Sequence, residues 1–151
     1  KNKYLNTEFY IAGWIEEEKY NEIIKKQVDN GVVKYIGFRK DIIDWIAKCH
    51  CTVLPSHGGE GIPNVLLESA ATGRICIGSN TNGINDVIED GVTGYIFEKA
   101  IASDLVSKIE RVICMSKSEL QNMSVMARQR VENRFDRNIV IKLYKDEVIK
   151  K

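Results

Sequence analysis

Residues 56–68, Ser-His-Gly-Gly-Glu-Gly-Ile-Pro-Asn-Val-Leu-Leu-Glu, hold the densest set of chemically useful residues in the chain. Gly58, Gly59 and Gly61 let the backbone approach a ligand closely and take dihedrals closed to other residues. Pro63 suits the first position of a helix, where its missing N–H costs nothing. A helix opening there aims unpaired amides and a positive dipole end at the loop, a ready seat for an anion such as phosphate. Two carboxylates bracket that seat. Glu60 lies in the loop, and Glu68 lies about one and a half turns into the helix, roughly 8 Å along its axis at about 1.5 Å per residue. Ionised carboxylates bond strongly to hydroxyls. A diphosphate flanked by two hydroxyl-rich rings would satisfy both the anion seat and the carboxylates.

The plainer reading makes both glutamates solvated surface charges, which acidic residues usually are. Val65, Leu66, Leu67, Ala70 and Ala71 argue against it for Glu68. They make its helix apolar almost all round, the pattern of a buried helix with one placed charge.

Other candidates are weaker. Cys49-His50-Cys51 with His57 nearby suggests a metal site, but structural zinc sites use two spaced ligand pairs and the chain has no second pair. Strand alternation would also turn His50 away from Cys49 and Cys51. The expectation is no metal, with Cys49, Cys51, Cys76 and Cys114 as reduced thiols. His57 reads equally as a plain loop residue or a hydrogen-bond partner for phosphate or hydroxyl. Lys99 lies near the same edge, where phosphate would be within its reach, but exposed lysines are common. Trp14 and Trp45 read as packing residues rather than stacking platforms.

The elements that must position these residues alternate. Short apolar runs at 8–13, 32–36, Cys51–Leu54, 74–78 and 95–97 read as strands. Helical spacing at 16–30 ends on Gly31. Asp41 can cap a helix carrying Ile42, Trp45 and Ile46. A helix at 63–72 closes on Gly73, and a short one is expected at 85–89. From Ile101 onward the chain reads as three helical segments, capped by Ser103, by Ser116 or Ser118, and by Asp136. Alternating strands and helices imply a doubly wound, Rossmann-like α/β domain with a mainly parallel sheet. Ligands sit at the carboxyl ends of such strands, which here are the loops beginning at Gly13, Gly37, Pro55 and Ser79 and the residues after Phe97.

Composition narrows the function. A chain of 151 residues is long enough for one domain. Its 44% apolar and 28% charged residues are ordinary for a soluble globular protein. A net charge of +1 gives no electrostatic reason to expect a nucleic acid partner. Lys142, Lys145, Lys150 and Lys151 are interrupted by Asp146 and Glu147, so they read as a solvated helix face. No uncharged apolar run is long enough to span a bilayer.

The order and content of these motifs resemble the carboxy-terminal, donor-binding domain of glycosyltransferase family 4, retaining enzymes of the GT-B fold. The resemblance covers nearly the whole chain. It rests on Glu60 and Glu68 followed by Ser69-Ala70-Ala71-Thr72-Gly73 and a strand, on Gly37-Phe38, on Val53-Leu54-Pro55-Ser56, on the segment Ile88 to Gly94, and on a closing helix from Arg128 to Phe135. It implies transfer of a sugar from a nucleoside-diphosphate sugar, UDP or GDP, without a cofactor and without a metal in the catalytic site. It implies that Glu60 contacts donor-sugar hydroxyls as the catalytic residue and that Glu68 contacts the ribose. Gly59, Gly61, Ile62, Pro63 and Asn64 would lie along the sugar and diphosphate, and Gly37, Phe38 and Arg39 would flank the base.

The same resemblance places an acceptor-binding domain, and this domain's first strand and helix with their basic pair, before Lys1. A glycan or lipid-linked acceptor would then be a partner of the full protein, in bacterial polysaccharide or lipopolysaccharide synthesis. The protein would be cytoplasmic, with peripheral association at the inner membrane face. Asn85 and Asp86 depart from the proline and glutamate usual in the family. Two readings compete on the same fold, a non-catalytic nucleotide-binding module and a GT-B-type sugar-nucleotide epimerase. The glutamate pair and the long helical tail favour the transferase over the epimerase.

Overall fold

The computed structural model describes residues 4, 6–58 and 61–149, so Gly59 and Glu60 of the glycine loop lie outside the described residues. The chain divides into two compact units, Lys1–Ile42 and Ile43–Lys151.

The first unit is a strand–helix–strand element: β1 (Tyr10–Ala12), α1 (Lys19–Asp29) and β2 (Lys34–Gly37). β1 and β2 run parallel, pairing Tyr10 with Lys34 and Ile11 with Tyr35, and the register shifts by one residue before Ala12 meets Gly37. Both strands are shorter than their apolar runs suggest. Glu8 precedes β1 and is drawn into an exposed ion pair with Lys34 at 2.5 Å. α1 begins three residues later than its pattern, past the acidic run Glu16-Glu17-Glu18. It ends at Asn30, with Gly31 in the left-handed region as expected.

The second unit contains α2 (Ile42–Lys48), β3 (Cys51–Leu54), α3 (Asn64–Ala71), β4 (Ile75–Ser79), α4 (Asn82–Val87), β5 (Gly94–Phe97), α5 (Ala102–Ile113), α6 (Lys117–Phe135) and α7 (Arg137–Tyr144). A π-helical turn, Lys145–Ile149, follows α7. β3, β4 and β5 form a parallel sheet in that order. Among the described residues every strand pairing is therefore parallel, as the alternating pattern predicts.

Alternation along β4 builds two apolar layers. Cys76 packs on one face with Leu66 and Ala70 of α3, Ile84 and Val87 of α4, and Ala127 and Val131 of α6. Ile75 and Ile77 pack on the other face with Tyr95, Phe97, Val112 of α5 and Met123 of α6. Helices thus cover both faces of this sheet. Strands buried on both sides read as continuous apolar runs, which is why β4 stands out so plainly in the sequence.

The starts of α4 and α5 also differ from their sequence signals. α4 begins at Asn82 rather than Asn85, and Gly78 leaves room for its Ile84 side chain. A Cβ at Gly78 would lie 2.3 Å from the Ile84 Cγ2. α5 begins at Ala102 with Ile101 at its cap, so Ser103 lies inside the first turn. The preceding turn is held instead by the Asp104 carboxylate, which accepts the Glu98 amide at 2.7 Å. The other two caps are as predicted. Ser116 and Glu119 form a reciprocal capping box on α6, and the Asp136 side chain accepts the Asn138 amide on α7. The bonds from Ser116 hold the Glu119 carboxyl below its ordinary range.

Candidate functional site

The carboxyl ends of β3, β4 and β5 carry the second unit's candidate residues. Beyond Leu54 the chain passes Pro55, Ser56, His57 and Gly58 into the glycine loop. His57 is exposed and Gly58 has φ +125, a conformation that side-chain-bearing residues rarely adopt. α3 then opens at Asn64 with Pro63 at its cap, one residue before the position expected for that proline. Pro63 offers its carbonyl to the amides of Leu66 and Leu67 but has no side chain with which to cap the helix. The amides of Asn64 and Val65 therefore lack intrahelical acceptors, as first-turn amides do. Gly61, Ile62 and Asn64 are exposed around this helix start, while Pro63 is buried.

Glu68 lies one turn further along α3. It is half-buried, between fully buried Leu66 and Ser69, and its carboxylate makes no hydrogen bond or ion pair among the described residues. Ser69, its neighbour, is spent inside the fold, donating to the Val65 carbonyl and meeting the Thr52 hydroxyl at 2.9 Å. The structure thus separates a structural serine from an unengaged carboxylate on adjacent positions.

Three further ties hold this edge, and local sequence signals did not reveal them. Ser79, buried at the end of β4, donates its hydroxyl to the Ser56 carbonyl and so fastens the entry to the glycine loop. Asn85 donates to the Asn80 side chain at 2.9 Å, and Asn80 donates to Glu98 at 3.1 Å, linking the ends of β4 and β5 through α4. At the departure from the family pattern, then, Asn85 serves as a tie between loops. Arg130 of α6 donates to the carbonyls of Val87 and Asp86 and to the Glu89 carboxylate, pinning the far end of α4. These partners lie 41 to 44 residues away in sequence, so no local motif marks Arg130.

In the first unit, Gly37 ends β2 with φ +65. Phe38 is exposed and stacks on Trp14, with ring centroids 4.8 Å apart. Trp14 is itself 74% exposed, so it is not the core packing residue its type suggests. Arg39 is held in a two-pronged pair by Asp41, at 2.8 and 2.6 Å. That pairing keeps the guanidinium more firmly protonated than usual. The sequence suggested Asp41 as a helix cap, and its carboxylate engages Arg39.

Cys76 is buried and its thiol is pushed up to about 12 by desolvation; Cys51, on the adjoining strand, is raised for the same reason. Among the described residues, no group of three or more His, Cys, Asp or Glu is gathered closely enough to hold a metal ion. Nor is any helix among them long and apolar enough to cross a membrane.

This α/β arrangement, with its glycine loop leading into α3 at a carboxyl strand edge, is that of a Rossmann-like domain. The family model for glycosyl transferases group 1 matches residues 1–114, and the chain belongs to that family. It is 32% identical over 127 residues to the Campylobacter jejuni N,N'-diacetylbacillosaminyl-diphospho-undecaprenol alpha-1,3-N-acetylgalactosaminyltransferase, a match covering 82% of this chain and 33% of that protein. It is 33% identical over 123 residues to an Escherichia coli UDP-Gal:alpha-D-GlcNAc-diphosphoundecaprenol alpha-1,3-galactosyltransferase, covering 77% of this chain and 30% of that protein. The chain therefore spans about a third of the length of these curated relatives. Among solved structures, Anabaena Alr3699/HepE in complex with UDP superposes with a TM-score of 0.85 at 20% identity, over 96% of this chain and 41% of that one. That likeness confirms the Rossmann-like fold expected of the carboxy-terminal half of a GT-B glycosyltransferase.

Proposed function

We propose that this chain is the donor-binding part of a retaining glycosyltransferase that moves a sugar from a nucleoside-diphosphate sugar onto a glycan or lipid-linked acceptor. The observation that carries the reading is Glu68, a half-buried carboxylate without a partner among the described residues, one turn inside a helix whose open amide end follows the glycine loop. A carboxylate left unpaired in a partly desolvated position costs stability, and a hydroxyl-bearing ligand would relieve that cost. Two curated relatives act, by name, on diphosphoundecaprenol-linked sugars, and the Anabaena structure holds UDP. These support a UDP-sugar donor and a lipid-linked acceptor, and with them a role in bacterial surface polysaccharide synthesis at the cytoplasmic face of the membrane.

In this reading the amides around Gly59, Gly61, Ile62, Pro63 and Asn64 receive the diphosphate and sugar, and Glu68 accepts from the ribose. Gly37, Phe38 and Arg39 flank the base. As the anomeric carbon parts from phosphate it gains positive charge and the departing diphosphate gains negative charge. Glu60 in the loop stabilises the first and the amino end of α3 stabilises the second. The test is a calorimetric binding screen of the full-length protein against nucleoside-diphosphate sugars, followed by transfer assays with polyprenyl-diphosphate-sugar acceptors. Saturable binding of one donor and its consumption in the presence of acceptor are the expected results. Absence of binding by every nucleoside-diphosphate sugar would overturn the reading.

A further inference from the structure

We propose that Trp14 is a positioning residue, which props the Phe38 ring so that this ring takes the base of a nucleoside diphosphate. The inference rests on the donor reading above and adds to it a residue that the glycine-loop and glutamate motifs do not include.

The two rings are brought together by backbone geometry rather than by burial. A glycine with positive φ follows β1 directly and another ends β2, Gly13 at +133 and Gly37 at +65. Such values strain any residue with a Cβ. Each glycine is followed directly by an aromatic residue, Trp14 or Phe38. The Gly13 amide donates to the Gly37 carbonyl at 3.0 Å, and the Tyr35 hydroxyl donates to the Gly13 carbonyl at 2.8 Å. These bonds lock the two chain ends side by side, and the rings follow with an interplanar angle of 18°.

The stack is left in water. Trp14 is 74% exposed and Phe38 52%. Trp14 stacks on one face of Phe38, and Phe38 still keeps about half of its surface in solvent. Core packing does not account for such a pair, because neither ring belongs to either apolar layer of the structure. Trp14 also lines an open cleft of about 260 Å³ with Ile15, Glu16, Glu17, Tyr20 and Ile24. A flat, exposed ring held rigidly from behind suits a flat heterocycle, since stacking on an aromatic face tolerates any base and needs no hydrogen-bond pattern. Carboxyl ends of parallel strands are also where such ligands bind.

The experiment compares UMP with ribose 5-phosphate, which differ only by the base, using the full-length protein and its Trp14→Ala and Trp14→Phe variants, with UDP as a third ligand. Affinities are measured calorimetrically and melting temperatures alongside. Trp14→Ala is expected to weaken UMP and UDP about two- to tenfold, the range for one aromatic pair. Ribose 5-phosphate should be unchanged, and Trp14→Phe should restore most of the preference for UMP. In donor kinetics the loss should fall on KM, with kcat retained. Equal weakening of UMP and ribose 5-phosphate with a lowered melting temperature would assign Trp14 a structural role and overturn the proposal. Unchanged UDP binding in Trp14→Ala would also overturn it while leaving the donor site intact. Failure of the parent protein to bind any nucleoside diphosphate would instead remove the donor reading on which the proposal stands.

Discussion

The buried Ser79 hydroxyl donates to the Ser56 carbonyl, joining the carboxyl end of β4 to the loop that leaves β3. This bond fixes where the glycine loop begins, although Ser79 lies outside the motif that marks the loop. Ser79→Ala should cost about 1 kcal/mol of stability, the usual net worth of one such bond. It should also raise donor KM, because the loop entry is no longer anchored. Urea denaturation and steady-state kinetics measure the two effects, and wild-type KM in the variant would show that the tie has no bearing on donor binding.

The two glutamates should separate kinetically. Ribose hydroxyls do not change during transfer, so Glu68→Gln removes an interaction common to ground and transition states. It should raise donor KM more than it lowers kcat. Glu60→Gln should mainly lower kcat, since charge develops at the sugar it faces. Circular dichroism first confirms folding. Wild-type kinetics in both variants would make these carboxylates surface charges and refute the site.

Arg130 offers a test of how α6 steadies α4. Arg130→Met removes bonds to two carbonyls and to Glu89, and should destabilise the fold by about 1.5–3 kcal/mol. Arg130→Lys should recover only part of this, because an ammonium cannot reproduce the planar fork. Glu89→Gln alone should cost under about 1 kcal/mol, as that side of the pair is largely exposed. Chemical denaturation of the three variants gives the ranking directly.

The strand thiols should be inert in the native protein and should influence its alkaline stability. Burial raises the Cys76 thiol from its ordinary value of 9.0 to about 12 and raises Cys51 as well. The raised folded values keep both groups protonated at neutral pH. Their contribution to stability is fully present below pH 9 and declines as pH rises from there toward about 12, where the unfolded chain ionises and the folded one does not. At pH 8 a thiol-specific reagent should modify exposed Cys114 first and reach Cys76 only on unfolding. Rapid modification of Cys76 in the folded protein would contradict its burial.

Elements that announce themselves locally were legible in the sequence. β3 and β4 show as apolar runs, α3 as an apolar helix after glycines, and α6 and α7 through Ser116 and Asp136. Glu68 could be selected because its neighbours are apolar. What remained hidden depends on distant or backbone-driven contacts. Ser103 looks like a cap, yet Asp104 takes the Glu98 amide and moves the start of α5. Asn85 and Asp86 read only as a departure from the family pattern, whereas the Asn85 side chain reaches Asn80, and the Asp86 carbonyl accepts from Arg130 44 residues further on. Trp14 read as core because tryptophan is large and apolar; only the paired glycine dihedrals bring it onto Phe38 at the surface.

The longest helix has a practical consequence for dissecting the gene. α6 gives Met123 to one apolar layer and Ala127 and Val131 to the other, so it is shared by both faces of a single sheet. A chain cut at 114–116, between α5 and α6, would leave a sheet with Leu66 and Ala70 uncovered on one side and Ile75 and Ile77 thinly covered on the other. The detached helical piece would carry the matching apolar residues and its own capping box. Two such halves form a natural pair for fragment complementation, because each exposes what only the other can bury, and their reassembly would report on the integrity of both layers at once.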